Sequence, residues 1–176
     1  NEWKNEKWSI LLGGRLDKHN LINHVIFSPR ANLRFNPSED INLRLSYSSG
    51  FRAPQAFDED LHIENVGGTV SMIERAKNLK EEKSQSFSAS ADMYHRFGAF
   101  QVNFLVEGFY TRLSDVFVLE NIGERDGILI KERRNGSGAK VLGLSMEGKM
   151  AYLSLFQLQA GVTLQQSRYD EPEKWS

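Results

Sequence analysis

The sequence contains no cysteine in 176 residues. Disulfide frameworks, thiolate zinc sites and cysteine nucleophiles are therefore excluded. It has no apolar run of about 18 residues, the length a membrane-spanning helix needs. Mean hydropathy is −0.47. That excludes a spanning helix but not a membrane β-barrel, whose strands are half polar. No charge excess exists either: Lys plus Arg is 22 and Asp plus Glu is 23, a formal net charge of −1. A dedicated nucleic-acid binder would show a basic excess, so no nucleic-acid partner is expected. The sequence lacks Gly-x-Ser-x-Gly and His-Glu-x-x-His elements. Gly67-Gly68 is followed by no Gly-Lys-Ser/Thr, and the four histidines have no ligand spacing. Neither a catalytic site nor a cofactor is expected. Hydrophobic residues at 40% and charged residues at 26% match an ordinary folded chain, which argues against disorder.

What the chain has in quantity is alternation with a period of two. Ile41, Leu43, Leu45 and Tyr47 alternate with Asn42, Arg44, Ser46 and Ser48. Successive strand side chains point to opposite faces, so this segment carries one apolar and one polar face. Ala31, Leu33 and Phe35 repeat the pattern, as do Phe87, Ala89, Ala91 and Met93 among Ser86, Ser88 and Ser90. So do Val102, Phe104 and Val106, then Leu142, Leu144 and Met146, then Phe156, Leu158, Ala160, Val162 and Leu164, and Trp8, Ile10 and Leu12 near the start. The pattern predicts seven strands, near 8–18, 26–36, 41–52, 83–97, 100–119, 139–150 and 153–168. No segment holds a helical apolar stripe; the nearest candidate, 71–82, has too few apolar residues. The predicted fold class is all-β, an antiparallel up-and-down meander.

Connections alternate between short and long. Short turns fall at 36–40, 98–99 and 151–152; long ones at 19–25, 53–82 and 120–138. Tight turns at one end and long loops at the other describe an outer-membrane barrel. Strands of about 12 residues, at ~3.3 Å each, also exceed the usual soluble length of about five or six. Aromatic residues near strand ends, at Trp8, Phe27, Phe51, Phe97, Phe100 and Tyr169, fit a membrane interface. A closed single-chain bacterial barrel normally has an even strand count, so seven strands are an open piece with two free edges, and the chain is read as one region, 1–176, of a longer barrel. Its loops 53–82 and 120–138 are expected to be extracellular, and its free edges to permit self-association. The rival reading is a soluble β-sheet module for binding or dimerisation, its apolar face forming an ordinary core or a dimer interface.

The run Ser28-Pro29-Arg30, then Asn32-Leu33-Arg34-Phe35-Asn36-Pro37, then Ser46-Tyr47-Ser48-Ser49-Gly50-Phe51-Arg52-Ala53-Pro54 resembles the barrel region of TonB-dependent outer-membrane receptors. Gly13-Gly14-Arg15-Leu16-Asp17 is similar to the family's Gly-x-Arg-x-Asp strand. Asn78-Leu79-Lys80-Glu81-Glu82-Lys83-Ser84 is similar to its Asn-x-Leu-Lys-Pro-Glu-x-Ser element, with Glu81 in place of the usual proline. The matches run from about residue 8 to 90. The resemblance implies a barrel of about 22 strands around an N-terminal plug, in the bacterial outer membrane. It implies import of a scarce nutrient, a ferric siderophore first, haem or cobalamin next, driven by TonB. The chain shows neither a plug nor a TonB box, so plug and TonB are expected as partners through the rest of the protein, with membrane lipid outside.

Candidate ligand contacts lie at the rim. Pro54 ends the third strand and Gly50 permits a bend or bulge before it. Arg52 then stands at the junction of strand and long loop, where it either steers an anionic ligand or pairs within the wall. The loop holding Asp58, Asp60, His62 and Glu64 gathers oxygen and nitrogen donors of the kind a cation wants. It lacks the spacing of a calcium-binding helix–loop–helix, and a solvated acidic loop is the plainer reading; its metal is unknown. Lys131-Glu132-Arg133-Arg134 reads as a polar hairpin returning through Asn135-Gly136-Ser137-Gly138.

Overall fold

The computed structural model describes residues 2–20, 22–54, 71–125 and 127–170. Eleven strands are present among them: β1 (Glu2–Lys4), β2 (Trp8–Asp17), β3 (Ile26–Ser38), β4 (Ile41–Arg52), β5 (Ser71–Arg75), β6 (Glu82–Phe97), β7 (Phe100–Ser114), β8 (Phe117–Arg125), β9 (Ile128–Asn135), β10 (Ala139–Tyr152) and β11 (Phe156–Tyr169). Eight form one sheet in the order β1-β2-β3-β4-β6-β7-β10-β11, and β5-β9-β8 form a small second sheet. Every pairing in the large sheet is antiparallel. The predicted meander is therefore present, with its seven strands as β2, β3, β4, β6, β7, β10 and β11.

Local chemistry sets the turns. Gly98 has φ +59° in the two-residue link between β6 and β7. A positive φ at the first central residue is the type II′ geometry that matches strand twist, and glycine adopts it without steric cost. The β10–β11 link differs from expectation. Its turn is residues 153–155, not 151–152, and Leu153 takes φ 48°. The predicted strand 100–119 also breaks. Asp115 takes φ 56°, a conformation Asp tolerates better than most residues, and separates β7 from β8.

Two further details depart from the sequence reading. No bulge occurs at Gly50: the β4–β6 ladder runs unbroken through Ser49↔Gln85, Gly50↔Ser84 and Phe51↔Lys83. The register shift lies instead between Phe35 and Ser38, beside the turn to β4. The β3–β4 ladder stops at Arg30↔Ser48, next to Pro29, which has no N–H to donate. Beyond that point the two strands part. Ile22, Ile26 and Ala53 fill the opening as a small buried cluster, with Phe51 against them.

The long connections contain strands. Within 53–82, β5 pairs in parallel with β9; β8, which starts ahead of the predicted loop 120–138, and β9 inside it form an antiparallel hairpin. Asn135 ties these pieces together. Its side-chain amide accepts from Lys80 N at 2.7 Å and donates to Lys80 O at 3.0 Å and to Asp115 O at 2.8 Å. In hydrogen-bonding terms the side chain serves as one more strand residue.

Among the described residues no second layer covers the large sheet. The accessible surface of the whole chain is 13263 Å², against about 8,700 Å² for a compact chain of this mass. Leu45 is 54% exposed and Leu164 61% exposed. The ordinary core of the soluble alternative required these side chains to be dry under a second layer, and among the described residues no such layer covers them.

Candidate functional site

The site is a wall with two chemically opposite faces and an ordered rim. Register makes the faces coherent. Leu43 sits opposite Phe35 and Ala91; Ala91 faces Val106, Val106 faces Met146, and Met146 faces Val162. One row of six strands is thus apolar throughout. Aromatic rows bound this face at both ends. Tyr47 and Phe87 pack with ring centroids 4.7 Å apart, and Phe87 is the ladder partner of Tyr110. At the short-turn end Phe97 partners Phe100, while Phe100 and Tyr152 lie 4.7 Å apart and Tyr152 and Phe156 5.9 Å. Residues 87 and 97 are separated by ten steps of ~3.3 Å; a strand tilt of about 40° gives a band near 25 Å tall. That is the height of the apolar band of an outer-membrane barrel. Tyr169, expected at the interface, falls instead on the polar face, as the partner of Ala139.

The opposite face is hydrogen-bonded and charged. Ser86 and Thr111 hydroxyls lie 3.0 Å apart, and those of Ser145 and Thr163 2.9 Å. Tyr94 donates to Asp92 at 2.8 Å, and Asn103 donates to the other Asp92 oxygen. Arg44 Nε donates to Asn42 at 2.7 Å, and Asn42 donates to Asn36 at 2.6 Å. Lys149 and Glu147 form an ion pair at 2.8 Å. A polar recess of about 540 Å³, lined by Asn36, Glu39, Asn42, Arg44, Asp92 and Tyr94, opens on this face near the short turns. Such groups suit a water-filled bore, where each satisfies a neighbour or solvent.

At the long-loop end, Arg52 pairs in register with Glu82. Its guanidinium lies 5.8 Å from the centroid of the Phe117 ring, within cation–π range. The Phe117 amide donates to Glu82 Oε2 at 3.2 Å. Arg52 is thus at the predicted junction, packed on the start of β8. Asp58, Asp60, His62 and Glu64 lie outside the described residues. A contact missed by sequence reading joins the rim: Glu81, 3% exposed, accepts from His24 Nε2 at 3.0 Å and from Lys83 Nζ at 3.1 Å. Burial pushes the Glu81 carboxyl up. Its backbone hydrogen bond and those from Lys83 and His24 outweigh that and hold it below its ordinary value. The one signal for it was Glu81 itself, standing where the resembled motif has proline.

The profile described as "TonB dependent receptor-like, beta-barrel" matches residues 1–175. The chain belongs to that family. It is a wall segment of a bacterial outer-membrane barrel, and the family is one of receptors rather than enzymes. Solved structures share the fold. The siderophore receptor PirA from Pseudomonas aeruginosa superposes with a TM-score of 0.74 at 17% identity, covering 94% of this chain and 32% of that one. The FrpB iron transporter from Neisseria meningitidis (F3-3 variant) gives 0.68 at 18% identity, covering 96% and 24%. The alcaligin outer-membrane receptor FauA from Bordetella pertussis gives 0.61 at 18% identity, covering 98% and 30%. The chain spans a quarter to a third of the length of these receptors. No protein of curated function matches it.

Proposed function

We propose that this wall belongs to a TonB-dependent importer of a scarce nutrient, a ferric siderophore before haem or cobalamin. The observation that carries the proposal is the division of one continuous sheet into an apolar face banded by aromatic rows and a hydrogen-bonded polar face. Such a sheet separates hydrocarbon from a watery passage. The similar structures named as iron transporters and siderophore receptors favour iron as the cargo. In this reading the end bearing 53–82 and 120–138 is extracellular. Ligand meets Arg52 and the loop residues Asp58, Asp60, His62 and Glu64 there. The plug fills the bore, and TonB acts on the plug from the opposite side.

The test is iron uptake by cells in which the complete receptor is the sole route for chelated iron. Radioactive ferric siderophore is expected to accumulate, and to stop accumulating when TonB is deleted. Arg52→Gln is expected to weaken binding of an anionic chelate, with Arg52→Lys closer to wild type. Accumulation that ignores TonB, or no accumulation of any ferric chelate, haem or cobalamin, overturns the proposal.

A further inference from the structure

The same register aligns three cations on the outer, apolar face of the wall. Lys140 on β10 is the direct ladder partner of Arg112 on β7 and of Arg168 on β11. Side chains alternate along a strand, so Arg112 shares its face with Tyr110, Lys140 with Leu142, and Arg168 with Leu164. With strands ~4.8 Å apart, the three Cα atoms fall within about 10 Å. Arg112 and Arg168 are exposed. One anion stands among them: Asp170 Oδ1 lies 2.7 Å from Lys140 Nζ. Three cations against one carboxylate leave the row net positive. Gln85, partner of Arg112, and Ser49, partner of Gln85, continue the row with uncharged polar groups.

The depth of this row is fixed by what lies beside it. The aromatic row of Tyr47, Phe87 and Tyr110 is two residues towards the apolar band on each strand. Aromatic belts sit at headgroup level, so the cations lie at or just above the headgroups. They face away from the bore, so no transported ligand reaches them. The anions available at that depth are lipid phosphates, which attract basic side chains. Arginine binds phosphate through two parallel N–H donors, and two arginines flank the lysine here.

We propose that Arg112, Lys140 and Arg168 form an outward-facing site for the phosphates of lipopolysaccharide. Three cations spread over about 10 Å match a lipid bearing more than one phosphate better than a single phosphodiester. Asp170 holds Lys140 in place and lowers the charge, which leaves the two arginines as the principal contacts. The site rests on the reading that the long-loop end faces outside, where this glycolipid forms the leaflet.

Native mass spectrometry of the complete detergent-purified receptor, titrated with diphosphorylated lipid A and with its dephosphorylated form, tests the site. Arg112→Gln with Arg168→Gln is expected to weaken lipid A binding about thirtyfold. Lys77→Gln with Lys80→Gln, removing the same charge elsewhere, is expected to leave it unchanged. Arg112→Lys with Arg168→Lys is expected to restore most of it. Mobility of unheated samples on gels reports whether each barrel is folded. Wild-type affinity in the folded Gln variant overturns the site. So does equal wild-type affinity for the dephosphorylated lipid, a comparison that needs no variant. Orientation is read separately by labelling Lys77→Cys on intact cells with an impermeant maleimide. Absence of label overturns the orientation and the site together; label with unchanged lipid affinity overturns the site alone.

Discussion

Phe109 occupies the space a side chain at residue 143 would need. A Cβ built on Gly143 would lie 2.3 Å from Phe109 Cζ and 2.9 Å from the Leu164 carbonyl oxygen. Phe109 and Gly143 are ladder partners on the polar face of β7 and β10. An aromatic ring on that face lies over the neighbouring strand because the neighbour has no side chain. A Cβ on Gly148, further along β10, would meet nothing within 4 Å.

Gly143→Ala is therefore expected to destabilise the complete receptor by about 1–3 kcal/mol, since a ring and a main-chain oxygen must both move. Gly148→Ala is expected to be neutral or slightly stabilising, by up to about 1 kcal/mol, through the unfolded chain alone. Urea unfolding of both variants in liposomes checks the contrast. Equal effects would show that Phe109 does not rest on Gly143.

The two faces should respond oppositely to charge. Leu43 partners Ala91, whose position along β6 lies near the middle of the band from Phe87 to Phe97. Leu43→Arg is expected to cost about 2–4 kcal/mol, as arginine does on the lipid face at mid-membrane. Ser46 partners Ser88 and Asn32 on the polar face. Ser46→Arg there is expected to stay within about 0.5 kcal/mol. The same unfolding measurement decides; a costly Ser46→Arg with a tolerated Leu43→Arg would invert the faces.

The rim contact should give a dependence on acid pH. Glu81 has its carboxyl held below its ordinary value of 4.5 in the folded wall. Its contribution is therefore fully present above that value. It is lost as pH falls below 4.5, because the unfolded chain takes up the proton first. Resistance to unfolding is expected to fall more steeply with acid in the wild type than in Glu81→Gln, measured from neutral pH downward. A Glu81→Gln receptor with the wild-type acid profile would remove the contact from the account.

The wall was readable because its constraint is local. A strand with hydrocarbon on one side and water on the other must alternate, and Leu43-Arg44-Leu45-Ser46 does so without reference to any other residue. Turn positions followed where the turn residue is diagnostic, as at Gly98. They failed at 153–155, where Ser154 stands between Leu153 and Leu155 and gives only a single polar residue as signal. The second sheet was not legible for a related reason. Ser71-Met72-Ile73-Glu74 shows no alternation, and its pairing depends on β9, more than fifty residues on. Asn135 read as the start of a flexible turn, whereas its side chain bonds to Lys80 and Asp115. The cationic row required register: Arg112, Lys140 and Arg168 are scattered in sequence and adjacent only once the three strands are paired.

The isolated chain should associate through β11. That strand has 14 residues and, among the described residues, pairs on one side only, with β10. Its outer edge is a long row of unpaired N–H and C=O groups, a template for another strand. The other end of the sheet is β1, of 3 residues, which covers little of β2. Both edges are thus open, one long and one nearly so, and each unpaired group in a detergent or lipid interior costs several kcal/mol. Oligomers held by β11 to β2 or β11 to β11 pairing are the expected result. Light scattering on the 176-residue chain in detergent is expected to show species larger than one chain per micelle. Gly161→Pro, placed mid-strand on the edge, is expected to shift the population towards monomer. The β10–β11 ladder pairs Gly161 with Glu147, so loss of that pairing must be checked by hydrogen exchange on β10. A chain that stays monomeric in detergent with β11 amides as protected as those of β7 would show that the edge is capped within the chain itself.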